Sequence, residues 1–483
     1  MPTQPNIVFI IADQLRADFL GCYGADFVQT PHIDALAARG IRYERAYSIS
    51  PICVPARASL LTGMNPIKTG VTSNGQWLRA DLADCGVHTW PEMLAAQGTL
   101  TAAIGKMHFY PWDASLGFRM RVIAEDKRWI NVRDDYYRFL RSRGERKYHG
   151  NEHAGYYENR GAIVNRLPWE LSVDHFVGQE AAHFVRIYGE ETPFAAMVSF
   201  PGPHCPYDPN QEFLDQVDAA AMPDAIPAVD ENVARIRAQS IAGNRRAWNG
   251  VDYTEFTADH KRKIRAHYAA SVQQIDYEVG QIMDALRQKG LLESTWIIFA
   301  SDHGDYLGDH DLIGKGTFYE ASIHVPLIVC PPGGAAPSTW PDLVELGDIT
   351  ATIMAIAGHD LPSYYDSIPL PGLGLPGSRK RDEIVGVTSG GWMIYDGVWK
   401  LVKYAHGEVH FFNRAEDPHE QHNLARDPAH AARYFDMDLR LTQAIMRSIG
   451  EANLEKSVDT GNGLWSDVEY GKEGYVRPYP FRT

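Results

Sequence analysis

The sequence predicts an α/β protein with a large, mostly parallel sheet between layers of helices, followed by a smaller C-terminal antiparallel-sheet-plus-helix subdomain. Four apolar runs rich in β-branched residues have the character of buried strands, and helix-like stretches separate them. Strands that alternate with helices along a chain favour parallel pairing. The strands are predicted at 6–12, 99–104, 194–200 and 296–300, and the helices at 33–39, 90–97, 174–188 and 259–289.

Each apolar run ends in a group of polar residues. The carboxyl ends of parallel strands meet at one edge of the sheet, which is where α/β proteins bind their ligands. Taken singly, each group is explained equally well as a helix cap, a loop or a turn. Four such groups at one edge predict a functional site. Its side chains are Asp13 and Gln14, Lys106 and His108, His204, and Asp302 and His303.

The segment from Ser50 to Gly63 carries Cys53 and Arg57 four residues apart. Pro55 predicts the first turn of a helix, and Gly63 predicts its end. Cys53 would then lie at the helix N-terminus, where unpaired amides and the helix dipole favour an anion, with Arg57 one turn further on. The alternative is a buried structural cysteine on an ordinary helix.

Composition limits the class of protein. With 483 residues, 45% of them hydrophobic and 22% charged, the chain has the composition of a soluble globular protein with more than one core. A net charge of -15 argues against binding to nucleic acid. Five scattered cysteines do not form a disulfide framework and fit a reducing compartment. The first residues show neither a signal peptide nor a membrane span, so we expect a cytoplasmic protein.

Two stretches of the main domain show no strand pattern. Residues 117–157 are charged and rich in tyrosine, and we interpret them as an insertion whose aromatic residues could line a pocket. Packing and oligomer contacts explain these aromatic residues equally well. Residues 211–251 are polar and are predicted to be a long excursion before the helix at 259–289.

The C-terminal part begins after a helix predicted at 348–357. We place the domain boundary in the Pro- and Gly-rich linker 361–377, so that the main domain spans 1–375 and the subdomain 376–483. Four short strands and one helix indicate a small antiparallel sheet backed by a helix. The strands are predicted at 383–388, 391–395, 400–404 and 409–413, the helix at 428–449, and a surface arm at 454–483.

The pattern Cys53-x-Pro55-x-Arg57, continued to Gly63, resembles the core motif of the sulfatase family. The runs 105–109 and 301–304 add to the resemblance, which spans residues 5–424. It implies an alkaline-phosphatase-like fold and hydrolysis of a sulfate monoester. It also implies that a formylglycine-generating enzyme, or an equivalent, oxidises Cys53 to formylglycine, whose hydrated aldehyde is the nucleophile.

The resemblance further implies one divalent metal ion. Its ligands would be Asp13, Gln14, Asp302 and His303, with the group derived from Cys53 as another. Oxygen ligands favour Ca²⁺, with Mg²⁺ also possible, and the histidine leaves Mn²⁺ open. Many family members have Asp-Asp and Asp-Asn at these two places. The Asp-Gln and Asp-His pairs resemble the branch with choline-sulfatase-like and phosphonate-monoester-hydrolase-like enzymes.

Four further side chains match family positions that bind the substrate or stabilise its charge. Arg57 would stabilise the formylglycine, and Lys106 and Lys315 would bind the sulfate oxygens as compact point charges. Asn74 would add a hydrogen-bond donor. An ordinary turn before Gly75 explains Asn74 equally well.

Two histidines match positions that transfer protons. His204 is the predicted general acid toward the leaving oxygen. His108 would hydrogen-bond the formylglycine hydrate and act as the base when the sulfated intermediate returns to the aldehyde. His204 is also expected to contact the substrate.

Several alternatives stay open. Phosphonate monoester or phosphodiester hydrolysis could use the same site, although enzymes of that type tend to carry hydroxyl side chains in place of Lys106 and His108. A thiolate phosphatase spaces its pair as Cys-x5-Arg and needs no metal. A non-catalytic anion or metal binder could keep the fold. We expect a small sulfate ester as substrate, either aryl, choline-type or sugar sulfate, no nucleic acid or membrane partner, and a homo-oligomer.

Overall fold

The computed structural model describes residues 5–189, 191–229 and 233–454. Its larger sheet has eight strands: β1 (Asn6–Asp13), β2 (Ile41–Tyr47), β3 (Leu100–Gly105), β4 (Met120–Ile123), β5 (Phe194–Pro203), β6 (Thr295–Ser301), β7 (Leu327–Cys330) and β8 (Ser338–Glu345). They lie in the order β4-β3-β5-β1-β6-β7-β2-β8. The strands from β4 to β6 pair in parallel, β7 runs antiparallel between β6 and β2, and β8 is parallel to β2. The predicted mostly parallel sheet is confirmed.

Helices cover both faces of this sheet. They are α1 (Pro31–Ala37), α2 (Cys53–Thr62), α3 (Pro66–Thr69), α4 (Trp90–Ala96), α5 (Asp135–Ser142), α6 (Val173–Ile187), α7 (Gln211–Leu214), α8 (Val233–Asn244), α9 (Ala258–Gln288), α10 (Glu320–Ile323), α11 (Asp348–Ile356) and α12 (Ala431–Leu454). Side chains of β1 alternate between the two faces. Val8 and Ile10 pack with α1, α6 and α9, whereas Ile7 and Phe9 pack with α2, α4 and α11.

The interpretation of residues 117–157 as an insertion is wrong in part. Met120–Ile123 form β4, the outermost strand, which pairs in parallel with β3 from Ala102↔Met120 to Gly105↔Ile123. This strand has only four residues and three of them are half-exposed, so its apolar pattern is weak. Residues 211–251 contain α7 and α8 and, where the structure describes them, no strand.

The smaller sheet has four antiparallel strands: β9 (Ile384–Thr388), β10 (Gly391–Tyr395), β11 (Trp399–Tyr404) and β12 (Val409–Asn413). One face buries Met437 and Leu441 of α12, and the other packs Met393 and Val402 against the main domain. The predicted sheet and helix are confirmed, and the boundary at 375/376 stays a prediction. Of the predicted arm, residues 455–483 lie outside the described residues.

Two observations bear on environment. Within the described ranges, none of the helices combines the length and the apolar character needed to cross a membrane. All five cysteines are free thiols.

Candidate active site and metal centre

Four strand ends meet at the carboxyl edge of the larger sheet. Asp13 is the last residue of β1, Lys106 follows β3, and Asp302 follows β6. His204 follows β5. Because β1 lies between β5 and β6 in the sheet, these strand ends bring the four side chains to one place.

Helix α2 presents Cys53 to this edge. The helix begins at Cys53 itself, two residues before Pro55, and it ends at Gly63, whose φ of 69° is left-handed. The buried Sγ of Cys53 lies 3.0 Å from Nε2 of His303 and 3.7 Å from Oδ1 of Asp13. Burial alone would raise the pKa of this thiol, but the nearby cations, chiefly Lys315, hold it well below its ordinary value.

The side chains of Asp13, Cys53, Asp302 and His303 could hold a metal ion. Their ligand atoms lie within 4.8 Å of one another, and all four residues are buried. Nδ1 of His303 lies 3.0 Å from the carbonyl oxygen of Gly304, which directs Nε2 toward the two carboxylates. Two carboxylates and one imidazole fit a divalent cation, with Ca²⁺ and Mn²⁺ both compatible with the set.

Gln14, the fourth predicted ligand, is engaged by neighbours. Its φ is 71°, and its backbone N–H donates to Oδ1 of Asp302 over 3.0 Å. Its side-chain amide donates to Asp305, and its Oε1 accepts from Lys315. Gln14 is therefore placed beside the cluster with its side chain linking Lys315 to Asp305.

Arg57 and Lys106 bind the carboxylates of the cluster from behind. Nε of Arg57 donates to Oδ2 of Asp302 over 2.9 Å, and its Nη1 donates to the carbonyl of Lys106 over 2.7 Å. The ammonium of Lys106 pairs with Asp13 and, over 3.2 Å, with Oδ2 of Asp126. Both cations are fully buried. Burial and the Cys53 thiolate raise the pKa of Asp13, but these cations and His204 outweigh them, so its pKa lies below its ordinary value.

His204 faces two cations. Its Nε2 lies 2.7 Å from Nζ of Lys315 and 3.4 Å from Nη2 of Arg128. Its Nδ1 lies 2.8 Å from the carbonyl oxygen of Cys205, which can only accept a hydrogen bond. Burial, Lys315 and Arg128 lower the pKa of His204 to about 3. The ring is therefore neutral, with its proton on Nδ1, and Nε2 accepts from Lys315.

His108 and Asn74 border the thiol from other sides. His108 has a φ of 61°, and its backbone N–H donates to Oε1 of Glu125 over 2.9 Å. Its side chain contributes to the lowered pKa of the Cys53 thiol, while its Nδ1 is buried without a partner. Oδ1 of Asn74 accepts from the amide of Val54, the second residue of α2, over 3.0 Å.

A cavity of about 630 Å³ opens beside the cluster. Five predicted site residues line it: Gln14, Asn74, His108, His204 and Lys315. Lys106 and Arg57 lie behind its wall, where they contact carboxylates. A substrate in the cavity could therefore contact the five lining side chains, whereas Arg57 and Lys106 do not line the cavity.

The sequence interpretation missed a second set of charged residues. Asp126 accepts from Lys106 and from both Nε and Nη2 of Arg128, at 2.9 and 2.5 Å for the arginine. Asp126 and Arg128 come directly after β4, in the same way that the predicted polar groups come directly after their strands. The same strand-end signal would have identified them if β4 had been recognised. Asp305, which binds Gln14, lies three residues after Asp302, so the same strand-end signal could have identified it.

Buried strand ends that bring together a thiol at a helix N-terminus, two carboxylates that could hold a metal ion and several buried cations are typical of a hydrolase of anionic esters. The sequence profile of the family described as Sulfatase matches residues 5–359. The chain belongs to the sulfatase family, and it is a sulfatase.

Its relatives agree with this membership. The chain is 29% identical over 455 residues to the arylsulfatase of Clostridium perfringens (strain 13 / Type A), with 87% of this chain and 90% of that protein covered. It is 30% identical over 446 residues to the choline-sulfatase of Rhizobium meliloti (strain 1021), with 88% and 83% covered. The crystal structure of phosphonate monoester hydrolase of Agrobacterium radiobacter matches with a TM-score of 0.78 at 24% identity, covering 92% of this chain and 96% of that one. This likeness confirms the alkaline-phosphatase-like fold.

Proposed function

We propose that this sulfatase cleaves sulfate monoesters with an aldehyde made from Cys53 and with one divalent metal ion. The position of Cys53 carries the proposal. Its Sγ lies at the N-terminus of α2, 3.0 Å from His303 and 3.7 Å from Asp13. A group on residue 53 therefore faces the helix amides and the side chains that would hold a cation.

When Cys53 is converted to formylglycine, its hydrate supplies the attacking oxygen. The surrounding residues support this use of residue 53. His108 contacts the thiol and has an unpaired Nδ1, so it can accept a proton from a hydroxyl at this position. Arg57, through its bond to Asp302, holds a metal-binding carboxylate in place next to residue 53.

Lys315 and His204 suit the two other requirements of ester hydrolysis, which are charge stabilisation and protonation of the leaving oxygen. Lys315 lines the cavity as an ammonium, so it can bind the oxygens of a sulfate group. His204 shares the proton of Lys315 at its Nε2, and we propose that this pair protonates the leaving oxygen. Lys106 binds Asp13 and Asp126 here, and its contact with sulfate stays a prediction.

The metal ion would be held by Asp13, Asp302 and His303 together with residue 53 and, as the sequence predicts, Gln14. Its chemistry would be that of a Lewis acid near the sulfate group. Ca²⁺ is our first expectation because most donors are oxygens. The cytoplasmic location, the formylglycine-generating partner and the homo-oligomer stay predictions.

Phosphonate monoester or phosphodiester hydrolysis is the second candidate, since a phosphonate has the same tetrahedral shape and negative charge as a sulfate ester. Parallel assays on an aryl sulfate and on phenyl phosphonate esters decide between the two. We expect a higher kcat/KM on the sulfate, and a higher value on the phosphonate would reverse the assignment. Cys53→Ala should abolish both activities, and unchanged turnover would exclude residue 53 as the nucleophile.

A further inference from the structure

The wall of the cavity is rich in aromatic residues and carries positive charge. Aromatic rings contribute much of it, and α8 adds neutral polar groups from Gln239 and Ser240. The formal charges on the wall are the cations of Arg128 and Lys315. Among the described residues that line the cavity, none is an aspartate or a glutamate. The aromatic residues are Tyr110, Trp129, Tyr207, Trp248, Tyr253 and Tyr306.

Arg128 occupies one of these aromatic surfaces. Its guanidinium carbon lies 4.9 Å from the centroid of the Trp248 ring. Asp126 holds the guanidinium in place through two hydrogen bonds of 2.9 and 2.5 Å, and the Arg128 side chain is only 13% exposed. One face of the Trp248 ring is therefore already in contact with a cation of the chain itself.

We propose that the pocket takes sulfate esters of uncharged ring alcohols and rejects esters whose alcohol carries a quaternary ammonium. This inference rests on the proposed sulfatase function. A quaternary ammonium binds through open aromatic faces or a nearby carboxylate. Here Arg128 covers one face of Trp248, the two formally charged side chains of the lining, Arg128 and Lys315, are both cations, and the lining offers no carboxylate. A phenol or sugar ring carries no charge, so these two cations do not repel it, and it can pack on the remaining aromatic surface and hydrogen-bond the polar side chains of α8.

The decisive comparison uses two esters of the same shape. Choline sulfate and 3,3-dimethylbutyl sulfate differ in one atom, a charged nitrogen against a neutral carbon, so their kcat/KM ratio isolates the effect of charge. We expect the neutral ester to be favoured by about a hundredfold. Equal or better turnover of choline sulfate would overturn the inference.

Two ring esters complete the set, with sulfate release as the readout. Glucose 6-sulfate and 4-nitrophenyl sulfate identify whether the ring is a sugar or a phenol. Because nitrophenolate is the better leaving group and raises kcat by itself, the comparison uses KM, and at least one ring ester should be bound more tightly, with a lower KM, than 3,3-dimethylbutyl sulfate. If neither is, the ring assignment is wrong although the enzyme is still a sulfatase. If none of the four esters releases sulfate, the proposed function itself fails.

One variant and its control test whether Arg128 sets this preference. Arg128→Gln should raise the kcat/KM for choline sulfate relative to that for 3,3-dimethylbutyl sulfate on the order of tenfold, because it removes the cation from Trp248. Arg146→Gln is the matched control, since Arg146 lies 4.1 Å from the ring of Tyr148 and pairs with Glu152 away from the cavity. An unchanged ratio in Arg128→Gln would contradict the inference.

If Arg128→Gln does not fold, a second variant gives the answer. Trp248 is 45% exposed, so Trp248→Leu should leave folding intact. It should lower kcat/KM on the favoured ring ester about tenfold relative to 3,3-dimethylbutyl sulfate. Equal losses on the two esters would contradict a role of this ring in recognition.

Discussion

Nζ of Lys315 lies 2.7 Å from Nε2 of His204. The two residues come from different loops at the same sheet edge, and both line the cavity. Because Nδ1 of His204 faces a carbonyl oxygen, the proton between the pair belongs to Lys315 in the resting state. We propose that the pair supplies this proton to the leaving oxygen of the ester.

This arrangement predicts how His204→Gln depends on the leaving group. A poor leaving group needs protonation in the transition state, whereas nitrophenolate leaves without it. We expect kcat to fall about a hundredfold or more on an alkyl sulfate and much less on 4-nitrophenyl sulfate. Equal losses on both esters would contradict the role of the His204–Lys315 pair as proton donor. His422→Gln, 76% exposed at its side chain, serves as control.

The C-terminal subdomain supports the loop that carries Lys315. Nζ of Lys400 on β11 is fully buried and donates to the carbonyl of Phe318 over 3.1 Å. It also forms an ion pair of 2.6 Å with Glu420, whose other oxygen accepts from the amide of Glu320 over 2.7 Å. These contacts attach the segment after Lys315 to the small sheet.

Glu420→Gln therefore should raise KM for sulfate esters about tenfold with a smaller change in kcat, because Lys315 loses its fixed position. Lys403→Met is the matched control. Lys403 lies on the same strand as Lys400 and pairs with Asp438 at the surface. Steady-state kinetics and thermal unfolding are measured together. A Glu420→Gln protein with lower stability and unchanged KM would show that the network has no positioning role.

His267 predicts a pH dependence of stability. It lies buried on α9, away from the cluster, and burial lowers its pKa to about 4 from 6.5. In the unfolded chain it takes up a proton that the folded chain does not bind, so stability is complete above pH 6.5 and decreases as the pH falls toward 4.

Between about pH 7.5 and about pH 5 this group should remove about 2 kcal/mol of unfolding free energy. His267→Gln should lose correspondingly less over the same interval, as measured by urea unfolding at each pH. His422→Gln should follow the unsubstituted protein. Parallel pH profiles for His267→Gln and the unsubstituted protein would contradict the pKa assigned to His267.

The cluster at residues 13, 53, 302 and 303 predicts metal dependence. Removal of the ion by a chelator should abolish turnover, and Ca²⁺ or Mn²⁺ should restore it. Asp13→Asn should lower the metal content of the purified protein, measured by elemental analysis independently of activity. Asp276→Asn is the control. Asp276 is a buried carboxylate that accepts from the amides of His32 and Ile33. Full metal content in Asp13→Asn would remove Asp13 from the ligand set.

The central strands are predictable because burial on both faces leaves a continuous apolar run. The predicted strands became β1, β3, β5 and β6, which are neighbours in the sheet. The outer strands lack this signal. β8 has the sequence STWPDLVE with an internal proline, as edge strands tolerate, and its first five residues are not buried.

The weak sequence signal of the outer strands also limits prediction of the site. Strand ends and the Cys53 motif identify residues that lie close to one another, because topology alone places them at one edge. Sequence does not show that Lys106 is bound by Asp13 and Asp126, or that Arg128 covers Trp248. Such contacts depend on which loops pack together. They also depend on β4, which precedes Asp126 and has no clear strand pattern in its sequence.

The most direct test of the account is a mass spectrum of the tryptic peptide Ala46–Arg57 from protein that is active on a sulfate ester. We expect Cys53 to have lost one sulfur and two hydrogens and gained one oxygen, and the converted fraction to rise in proportion to specific activity across preparations. Full activity in protein whose Cys53 is entirely an unmodified thiol would contradict the aldehyde as nucleophile.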